Sequence, residues 1–253
     1  MISVCMATYN GEKYIEEQVK SILPQLAEND ELIVSDDGST DKTLEILENF
    51  KDNRIKIFHH NKNKVKIPFY LSSKTSDNFY FAARNFENAL LKAQGDYIFL
   101  SDQDDVWVPD KIEKTIPHMN NDMLVISNAW IVNENMEKQC KLSEYVNYKK
   151  GFWKNILIKG APYGCLCAFT KNIKNFFLPI PKSVLTHDFW LSLISELKFS
   201  SIYISEPLVQ YRRHPNTISK TNISQNSIFF IIKYRIFLLF EALKRYFLRS
   251  KCH

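Results

Sequence analysis

The sequence predicts an α/β fold in which a mostly parallel β-sheet is flanked by helices. Two observations indicate this fold class. Short apolar runs of β-forming residues alternate with longer stretches whose apolar residues recur at helical spacing, and each apolar run ends in a polar loop. A chain of 253 residues can bury one good-sized core, which suits one large α/β domain or a domain with a small appendage, and we favour one domain.

The elements of the first half follow in order. "ISVCMAT" at residues 2–8 predicts the first strand, and the residues after it carry apolar side chains at helical spacing. "ELIVSDDGST" at residues 31–40 predicts a second strand that ends in polar residues. Ser39 or Thr40 is the predicted N-cap of the helix in "STDKTLEILENF". "RIKIFHHN" at residues 54–61 predicts the third strand.

The next segment interrupts the pattern and then repeats it. Residues 61–80 show no steady period and are rich in Lys, Ser and Asn, which predicts a loop. "ARNFENALLKAQGDYIFLSDQDD" at residues 83–105 predicts a helix, a stop at Gly95 and a strand over residues 97–100. The second half is less regular, with strands predicted at residues 122–133 and 160–170 and a helix at residues 187–198.

Polar loops follow three of the predicted strands: "ATYN", "SDDGS" and "SDQDD". Since ligands of such sheets bind beyond the carboxyl ends of the strands, we expect these loops at one edge. Asp102, Asp104 and Asp105 are crowded there, and two such charges about 4 Å apart cost on the order of 4 kcal/mol at an effective dielectric near 20. Bound magnesium or manganese would offset this repulsion, whereas acidic turns that only solvate a loop are also common. With Asn10 and Arg84 nearby, the mixture suits a nucleoside diphosphate.

Several segments together carry a resemblance to a known family. "SVCMATYNGEKYIEEQVKSIL", "VSDDGSTDKT" and "ARNFENALLKAQGDYIFLSDQDDVW", in this order and spacing, resemble the family-2 glycosyltransferases of the GT-A fold. "DQDDVW", with "HDFW" and "YRRH" further along, is similar to the bacterial branch that includes many rhamnosyltransferases and cell-surface polysaccharide enzymes. The resemblance covers roughly residues 1–216 and implies a GT-A domain over residues 1–225.

This resemblance implies a nucleotide and metal site on the polar loops. Asp37 would accept a hydrogen bond from a pyrimidine, and Arg84 would face the base or the diphosphate. Asp102 would lie by the ribose and the metal, Asp104 would ligate Mn²⁺ or Mg²⁺ directly, and His214 would close the metal shell. The nucleotide-binding residues implied are Ala7, Thr8, Tyr9, Asn10, Asp36, Asp37, Arg84 and Asp102.

Asp188 is the predicted catalytic base. It leads the predicted helix at residues 187–198, where the positive end of the helix dipole favours the ionised carboxylate, and it matches the Asp of the family's acidic-aromatic motif. A carboxylate within hydrogen-bond reach of an acceptor hydroxyl can take its proton. The alternative is an ordinary first-turn carboxylate that only stabilises the helix. His187 stands where many relatives carry an acidic residue, which leaves Asp188 as the carboxylate there.

Four residues are predicted to contact the donor or acceptor sugar. Gly164 and Cys165 match a small-residue turn on the acceptor side of relatives, which would let the backbone approach the sugar. Trp107 and Trp190 could stack on sugar rings, although large aromatic residues at this spacing are also typical of a hydrophobic core.

The net charge, the N-terminal residues and the cysteine content indicate which partners and which cellular compartment to expect. The 33 Lys and Arg residues against 28 Asp and Glu residues give a net charge of +5, which is small for a nucleic-acid-binding protein, and no nucleic-acid partner is predicted. The first residues look like a buried strand and lack the pattern of a secretory signal, so the protein is expected in the cytoplasm. The five cysteines show no zinc-site spacing and are expected to be reduced.

The C-terminal stretch, residues 226–253, is the most hydrophobic part of the chain. Lys233 and Arg235 argue against a membrane span, because each costs roughly 2.5–3.5 kcal/mol near the bilayer centre. On a helical wheel the apolar and charged residues take opposite sides, which predicts a basic amphipathic helix. Such a helix lies on an anionic inner-leaflet membrane surface, or covers the core or a second subunit of a homodimer. The predicted apolar stripe contains Ile228, Phe229, Ile232, Ile236, Leu239, Phe240, Leu243 and Phe247, and the predicted charged side contains Lys233, Glu241, Lys244, Arg245 and Arg249.

The leading interpretation is an inverting, metal-dependent glycosyltransferase. It would move one sugar from a UDP-sugar or dTDP-rhamnose to a hydroxyl of a glycan or glycolipid acceptor in bacterial polysaccharide synthesis, at the inner face of the cell membrane. Single additions are favoured because the Q-x-x-R-W signature of processive synthases is missing. One alternative is a sugar nucleotidyltransferase, which would need a glycine-rich basic loop where "ATYNGEK" stands. The other is a non-catalytic nucleotide-sugar-binding protein at the membrane, against which Asp102, Asp104 and Asp188 argue.

Overall fold

The computed structural model describes residues 1–68, 70–71, 76–120, 122–146, 148, 150–157, 163–215 and 227–250. These residues form a mixed α/β fold with one sheet and flanking helices, so the predicted class is confirmed. The strands are Ile2–Thr8 (β1), Glu31–Asp36 (β2), Ile55–His59 (β3), Tyr97–Asp102 (β4), Val106–Trp107 (β5), Met123–Val132 (β6), Lys138–Lys141 (β7), Cys167–Thr170 (β8) and Ser200–Arg212 (β9). The α-helices are Ile15–Ile22 (α1), Thr43–Asn49 (α2), Ser76–Lys92 (α3), Lys111–Thr115 (α4), Phe152–Leu157 (α5), Lys171–Phe177 (α6), His187–Lys198 (α7) and Ile228–Ser250 (α8).

The first half of the chain builds the parallel part of the sheet, in the strand order β3-β2-β1-β4. In this register Thr8 lies beside Asp36, and Ala7 lies beside Asp102. The carboxyl ends of three strands therefore meet at one edge of the sheet, and the loops that follow them share that edge. This is the arrangement that the alternation of strands and helices predicted.

Helix packing fixes the position of this edge. Ile15, Val19 and Ile22 recur on one side of α1, and all three are fully buried in the core. Burial of each such side chain contributes roughly 1.5–3 kcal/mol. The central strands β1 and β2 are buried along nearly their whole length, as expected of strands covered by helices. The loops at the edge are thus carried by a rigid framework.

The start of α2 differs from the prediction. Neither Ser39 nor Thr40 caps this helix, because α2 begins at Thr43. The backbone N–H and the hydroxyl of Thr43 both donate to the Asp41 carboxylate, at 3.0 and 2.5 Å. The Ser39 hydroxyl instead donates to the Asp36 carboxylate and accepts from the Asn10 N–H, and the Thr40 N–H donates to Asn10 Oδ1.

The second half of the chain adds strands in both directions. β8 runs antiparallel to β4 and β6, β9 runs parallel to β6, and β5 pairs antiparallel with β9. The pairing sets Val106 opposite Gln210 and Trp107 opposite Val209. Residues just after β9 therefore arrive beside the acidic loop between β4 and β5, although about a hundred residues separate them along the chain.

Helix α8 packs on α5 and α7. Leu238 and Ala242 are fully buried in this contact. Arg245 donates hydrogen bonds to the main-chain carbonyls of residues 176–179, and Arg249 donates to those of residues 175 and 178. These bonds satisfy carbonyl groups at the end of α6 and in the segment that follows it.

The predicted apolar stripe of α8 is found on the surface, but two residues of the predicted charged side are not. Most of the predicted apolar stripe is exposed, whereas Arg245 and Arg249 turn inward to the carbonyl groups. Lys233 and Lys244 are exposed together with the apolar residues. The helical wheel could not predict the positions of these two arginines, because their partners are main-chain carbonyls. In the part of the chain that the structure describes, no helix combines the length and the hydrophobicity needed to cross a membrane. The predicted boundary at residues 225 and 226 lies outside the described residues.

Candidate active site

A cavity of about 690 Å³ opens at the carboxyl ends of β1, β2 and β4. Its walls come from the loops after these strands, from α3, from the start of α7 and from the segment after β9. Ten of the predicted site residues line it: Ala7, Thr8, Tyr9, Asn10, Asp37, Asp102, Asp104, Gly164, Asp188 and His214.

The loop after β1 forms one wall of the cavity. Gln103 holds this loop, since its Oε1 accepts from the Thr8 hydroxyl at 2.5 Å and from the Tyr9 N–H at 2.9 Å, and its Nε2 donates to the Tyr9 carbonyl at 3.1 Å. The Tyr9 side chain is 42% exposed, and Lys62 Nζ lies 3.1 Å from its ring centroid. An aromatic face beside a cation can stack on a nucleobase and attract a phosphate.

Sequence reasoning missed Gln103 and Lys62. The position of Gln103 between two aspartates was a signal for it, since this residue follows β4 at the binding edge. Lys62 lies in the segment predicted only as a loop, and no spacing pattern connects it with Tyr9.

Asp37 and Asn85 contribute two further polar groups to the cavity. The Asp37 carboxylate is held by His60, whose Nδ1 lies 2.8 Å from Asp37 Oδ1. Asn85 Nδ2 donates to the Thr8 carbonyl at 3.2 Å, while its Oδ1 is buried without a hydrogen-bond partner among the described residues. The Asp37 carboxylate, fixed by His60, can accept a hydrogen bond from the N–H group of a base.

Asn10 and Asp36 organise the loops. Asn10 has a positive φ of 49°, and its Oδ1 accepts from the Thr40 N–H at 2.9 Å. The buried Asp36 carboxylate accepts from the N–H groups of Gly38 and Ser39, at 3.0 and 2.9 Å, and from the Ser39 hydroxyl. Asp36 therefore folds the turn after β2 and does not line the cavity, in contrast to its predicted role as a nucleotide ligand.

Arg84 also differs from its prediction. Its guanidinium donates to the carbonyls of Ile180 at 2.8 Å, Pro181 at 3.2 Å and Val184 at 3.2 Å, and it pairs with Glu87 at 2.9 Å. Arg84 is buried and is not among the residues that line the cavity. Its donors hold the segment before α7, so they do not face a base or a diphosphate.

Two carboxyl groups in and beside the acidic loop after β4 have raised pKa values. Burial and the neighbouring Asp104 carboxylate raise the pKa of Asp102 to about 7. Asp105 is fully buried, and burial together with Asp104 raises its pKa well above the ordinary value. Asp104 is the more exposed neighbour, and its Oδ2 lies 2.8 Å from His214 Nε2.

The end of β9 positions this loop. The main-chain N–H of Arg212 donates to Asp105 Oδ1 at 3.0 Å, and its Nε donates to the Asp104 carbonyl at 2.9 Å. The guanidinium also pairs with Glu17 and lies over the Tyr14 ring, which packs against the ring of His214. Arg212 therefore fixes His214 and the acidic loop relative to each other.

A buried lysine lies beneath the carboxylates. Lys111 is 1% exposed, its Nζ donates to the Cys165 carbonyl at 3.0 Å, and the ammonium lies 4.1 Å from the Trp107 ring centroid. Burial lowers the pKa of Lys111 to about 8, although Asp105 and Asp102 favour its charged form. The Lys111 ammonium thus offsets part of the repulsion between the carboxylates, which we expected from the sequence to be offset by a bound metal ion alone.

The segment before β8 brings Gly164 to the cavity and Cys165 behind the acidic loop. Cys165 is fully buried and, unlike Gly164, does not line the cavity, so the predicted approach of the backbone to a sugar is possible at Gly164 and not at Cys165. A Cβ built on Gly164 would lie 3.2 Å from two ring carbons of His187 and closer still to its Nε2. His187 packs on Phe86 with ring centroids 4.1 Å apart, and its Nε2 has no hydrogen-bond partner among the described residues. Gly164 is therefore required by its contact with the His187 ring.

Asp188 lies in the first turn of α7 and lines the cavity, where the sequence placed it. Its Oδ1 accepts from the N–H of Phe189 at 2.6 Å. Its charge raises the pKa of Asp102, so the two carboxylates face the same space. The cavity thus joins a carboxylate from α7 with the acidic loop and His214.

The two tryptophans belong to the core. Trp107 is 2% exposed and packs on Phe99, and Trp190 is fully buried with its Nε1 donating to the Phe177 carbonyl at 3.1 Å. Their predicted contact with sugar rings is wrong, because neither ring reaches the cavity. Hydrophobic burial decided their position, which is the alternative that the sequence left open.

Two overlapping sets of donors could hold a metal ion. The ligand atoms of Asp102, Asp105 and Cys165 lie within 4.8 Å of one another, but Asp105 and Cys165 are fully buried and a thiol is a poor ligand for Mg²⁺ or Mn²⁺. Asp102, Asp104 and His214 line the cavity and offer carboxylate oxygens and an imidazole nitrogen. The donor types of this second set suit a hard divalent cation, and Asp104 contacts His214, but the three residues are not grouped as closely as the first set.

Comparison with known proteins is consistent with this geometry. The family model for Glycosyl transferase family 2 matches residues 3–68 and 74–174. The chain belongs to glycosyl transferase family 2. It is 32% identical over 239 residues to dTDP-rhamnosyl transferase RfbG of Shigella flexneri, an alignment that covers 87% of this chain and 75% of that protein. It is 28% identical over 234 residues to UDP-Glc:alpha-D-GlcNAc-diphosphoundecaprenol beta-1,3-glucosyltransferase WfgD of Escherichia coli, covering 89% and 82% of the two chains.

Solved structures support the fold of this family member. S. aureus TarS 1-349 in complex with UDP-GlcNAc has a TM-score of 0.59 at 17% identity, covering 97% of this chain and 72% of the other. Glucosyl-3-phosphoglycerate synthase from Mycobacterium tuberculosis, in complex with Mn²⁺, uridine diphosphate and phosphoglyceric acid, has a TM-score of 0.55 at 18% identity, covering 85% and 72%. The predicted GT-A fold is confirmed by these similarities.

Proposed function

We propose that this family-2 glycosyltransferase transfers one sugar from a nucleotide diphosphate donor, a UDP-sugar or dTDP-rhamnose, to a hydroxyl of a lipid-linked glycan. One observation carries the proposal: a single cavity joins Tyr9 and Asp37 on one wall, Asp104 and His214 on another, and Asp188 at the start of α7. The names of RfbG and WfgD, which include a dTDP-rhamnosyl donor and a diphosphoundecaprenol acceptor, support this choice of substrates.

The side chains divide the binding of the donor between them. The Tyr9 ring and the Asp37 carboxylate are suited to the base, and Lys62 is suited to a phosphate oxygen. Asp102, Asp104 and His214 would hold Mn²⁺ or Mg²⁺. Such an ion, when bound, stabilises the negative charge on the departing diphosphate.

Asp188 serves as the base in an inverting displacement. Its carboxylate takes the proton of the acceptor hydroxyl, and the hydroxyl oxygen forms a bond to the anomeric carbon of the donor. The bond between that carbon and the diphosphate oxygen breaks, and its electron pair leaves with the diphosphate. Attack on the face opposite the leaving group inverts the anomeric configuration. One carboxylate suffices because no covalent intermediate on the protein is required.

The location of the protein follows from its acceptor. A lipid-linked glycan requires an enzyme at the membrane surface, and we place this one in the cytoplasm, peripheral at the inner face of the cell membrane. The exposed apolar residues of α8 support this placement. Residues 1–225 form the transferase domain, and residues 226–253 form its membrane-contacting tail.

Donor binding tests the proposal most directly. We expect calorimetry with UDP and dTDP to show binding in the presence of Mn²⁺ that weakens at least about tenfold on addition of EDTA. Asp104→Asn should lose this metal-dependent binding, whereas Asp188→Asn should bind the nucleotide as the parent does and lose sugar transfer. Equal binding of both nucleotides with and without metal would contradict the metal site, and parental transfer by Asp188→Asn would contradict the base.

A further inference from the structure

Helix α8 presents an apolar face to solvent. Eight large apolar side chains on it are between 37% and 78% exposed, and most of them are three or four residues apart, so they form a stripe along the helix. Monomeric proteins seldom leave a contiguous apolar surface of this kind uncovered. The exposed residues of the stripe are Ile228, Phe229, Ile232, Ile236, Phe240, Leu243, Phe247 and Leu248.

The charges along this stripe indicate what covers it. Lys233 and Lys244 are exposed beside the apolar residues, and Glu241, the acidic residue of α8, is only half-exposed. A second copy of the helix would bring its own lysines to the contact without exposed carboxylates to pair with them. An anionic bilayer offers both an apolar interior and negative headgroups.

Helix α5 adds to the same region. Arg235 of α8 donates to the Leu157 carbonyl at 2.5 Å, which sets the end of α5 against α8. Leu157 and Trp153 are 67% and 62% exposed, and Lys154 is exposed between them. Tryptophan and lysine are residue types that favour the interface between water and lipid.

The opposite face of α8 contacts the segment that leads to Asp188. The Tyr234 hydroxyl accepts from the Leu185 N–H at 2.9 Å. Burial raises the pKa of Tyr234, so the hydroxyl stays neutral. Leu185 lies three residues before Asp188, and Arg84 holds the preceding carbonyls of residues 180, 181 and 184 from the side of α3. The segment that leads to the proposed base is therefore fixed by one residue of α3 and one of α8.

We propose that α8 is a two-sided element: its outer face binds an anionic lipid surface, and its inner face, through Tyr234, positions the segment that carries Asp188. This inference rests on the proposed function for the role of Asp188 and for the placement at a membrane, and it adds the anionic character of that surface and the coupling through Tyr234. Docking restrains α8, and because Tyr234 bonds the Leu185 amide, the restraint extends to the first turn of α7. Tyr234 is thus a positioning residue, and membrane contact orders the catalytic side of the cavity.

The outer face is tested by sedimentation with lipid vesicles. We expect the protein to bind vesicles of phosphatidylcholine with phosphatidylglycerol, and binding to fall at least about tenfold in the double variant Ile236→Ser/Phe240→Ser. Leu91→Ser is the matched control, since Leu91 is 61% exposed on α3, and it should bind as the parent does. Equal binding by the double variant and the parent would overturn the proposal. A change of oligomeric state in the double variant without loss of vesicle binding would also overturn it, by assigning the face to a second copy.

The inner face is tested by hydrogen–deuterium exchange. Tyr234→Phe keeps the ring and removes the hydroxyl, so we expect faster exchange at the Leu185 amide with vesicle binding unchanged. Anionic vesicles should slow exchange over residues 183–190 about threefold or more in the parent and not in Tyr234→Phe. The same exchange in the parent with and without vesicles would overturn the coupling. Binding of UDP and dTDP, measured on the same samples, reports the proposed function separately, so the two failures can be distinguished.

Discussion

Gly164→Ala is expected to impair transfer more than it impairs folding. The new Cβ would lie 3.2 Å from two ring carbons of His187 and closer still to Nε2, inside the usual separation of about 3.5–4.0 Å. The ring cannot retreat toward Phe86, because the two ring centroids are 4.1 Å apart, so it has to shift toward the cavity that it lines. His187 must therefore move by roughly 1 Å, and an overpacked contact of this kind costs about 1–3 kcal/mol.

The movement matters for catalysis because His187 and Asp188 are consecutive residues in the first turn of α7. A displacement of about 1 Å in a catalytic group can cost on the order of a hundredfold in rate. We expect the turnover number for transfer to fall by that factor, with UDP and dTDP affinity retained. Transfer is assayed with sugar donors of the nucleotide, UDP or dTDP, that binds in the calorimetry, and stability is assayed by urea unfolding.

Two further variants separate geometry from general destabilisation. Gly95→Ala should lower stability without a selective loss of transfer, since its Cβ would lie 2.6 Å from the Ser3 main-chain nitrogen, at the opposite end of β1. Gly164→Ala/His187→Ala should recover transfer relative to Gly164→Ala alone, because the clash is removed. Parental turnover by Gly164→Ala would refute the reasoning, as would failure of the double variant to differ from the single one.

Two other predictions concern Arg84 and His187, and both follow from contacts that the structure shows. Arg84→Met should lower the free energy of unfolding by about 3–5 kcal/mol, because it leaves Glu87 without its buried ion-pair partner, whereas UDP and dTDP affinity should stay within about twofold of the parent. Weakened nucleotide binding at unchanged stability would restore the original prediction. Burial lowers the pKa of His187 below the value of about 6.5 expected in the unfolded chain. The stability that His187 contributes is therefore present above about pH 6.5, and it is lost as the pH falls from there through the lowered pKa. Urea midpoints of His187→Gln should therefore decline less than those of the parent between about pH 7 and pH 5, and parallel declines would exclude the effect.

Periodicity and topology made the first half of the fold predictable. Apolar runs and helical spacing located the strands, and the rule that parallel strands end at one edge grouped Ala7, Asp37, Asp102 and Asp104 correctly in one cavity. The helix start at His187 was also predictable, so Asp188 was placed at the cavity before its contacts were known.

The contact partners of individual side chains were not predictable from the sequence. Asp36, Arg84 and Trp107 have residue types typical of a nucleotide or sugar site. In the structure Asp36 stabilises a turn, Arg84 donates to three main-chain carbonyls, and Trp107 is buried in the core. These partners are distant in sequence or belong to the main chain, which carries no sequence signal. The same limit explains why the inward position of Arg245 on α8, at the carbonyls of residues 176–179, was not predicted.

The charge balance around the acidic loop explains why it is suited to a cationic ligand complex. Asp102, Asp104 and Asp105 contribute three carboxyl groups, and Lys111 is the ammonium that lies beneath them. Arg212 gives Asp105 a main-chain N–H, while its guanidinium is engaged by Glu17. The carboxyl groups therefore outnumber the fixed positive charges near them, and the pKa of Asp102 is raised first by burial and then by the neighbouring Asp104. A divalent cation would lower the electrostatic cost of keeping these groups ionised, and a diphosphate bound with it would keep the total charge near balance.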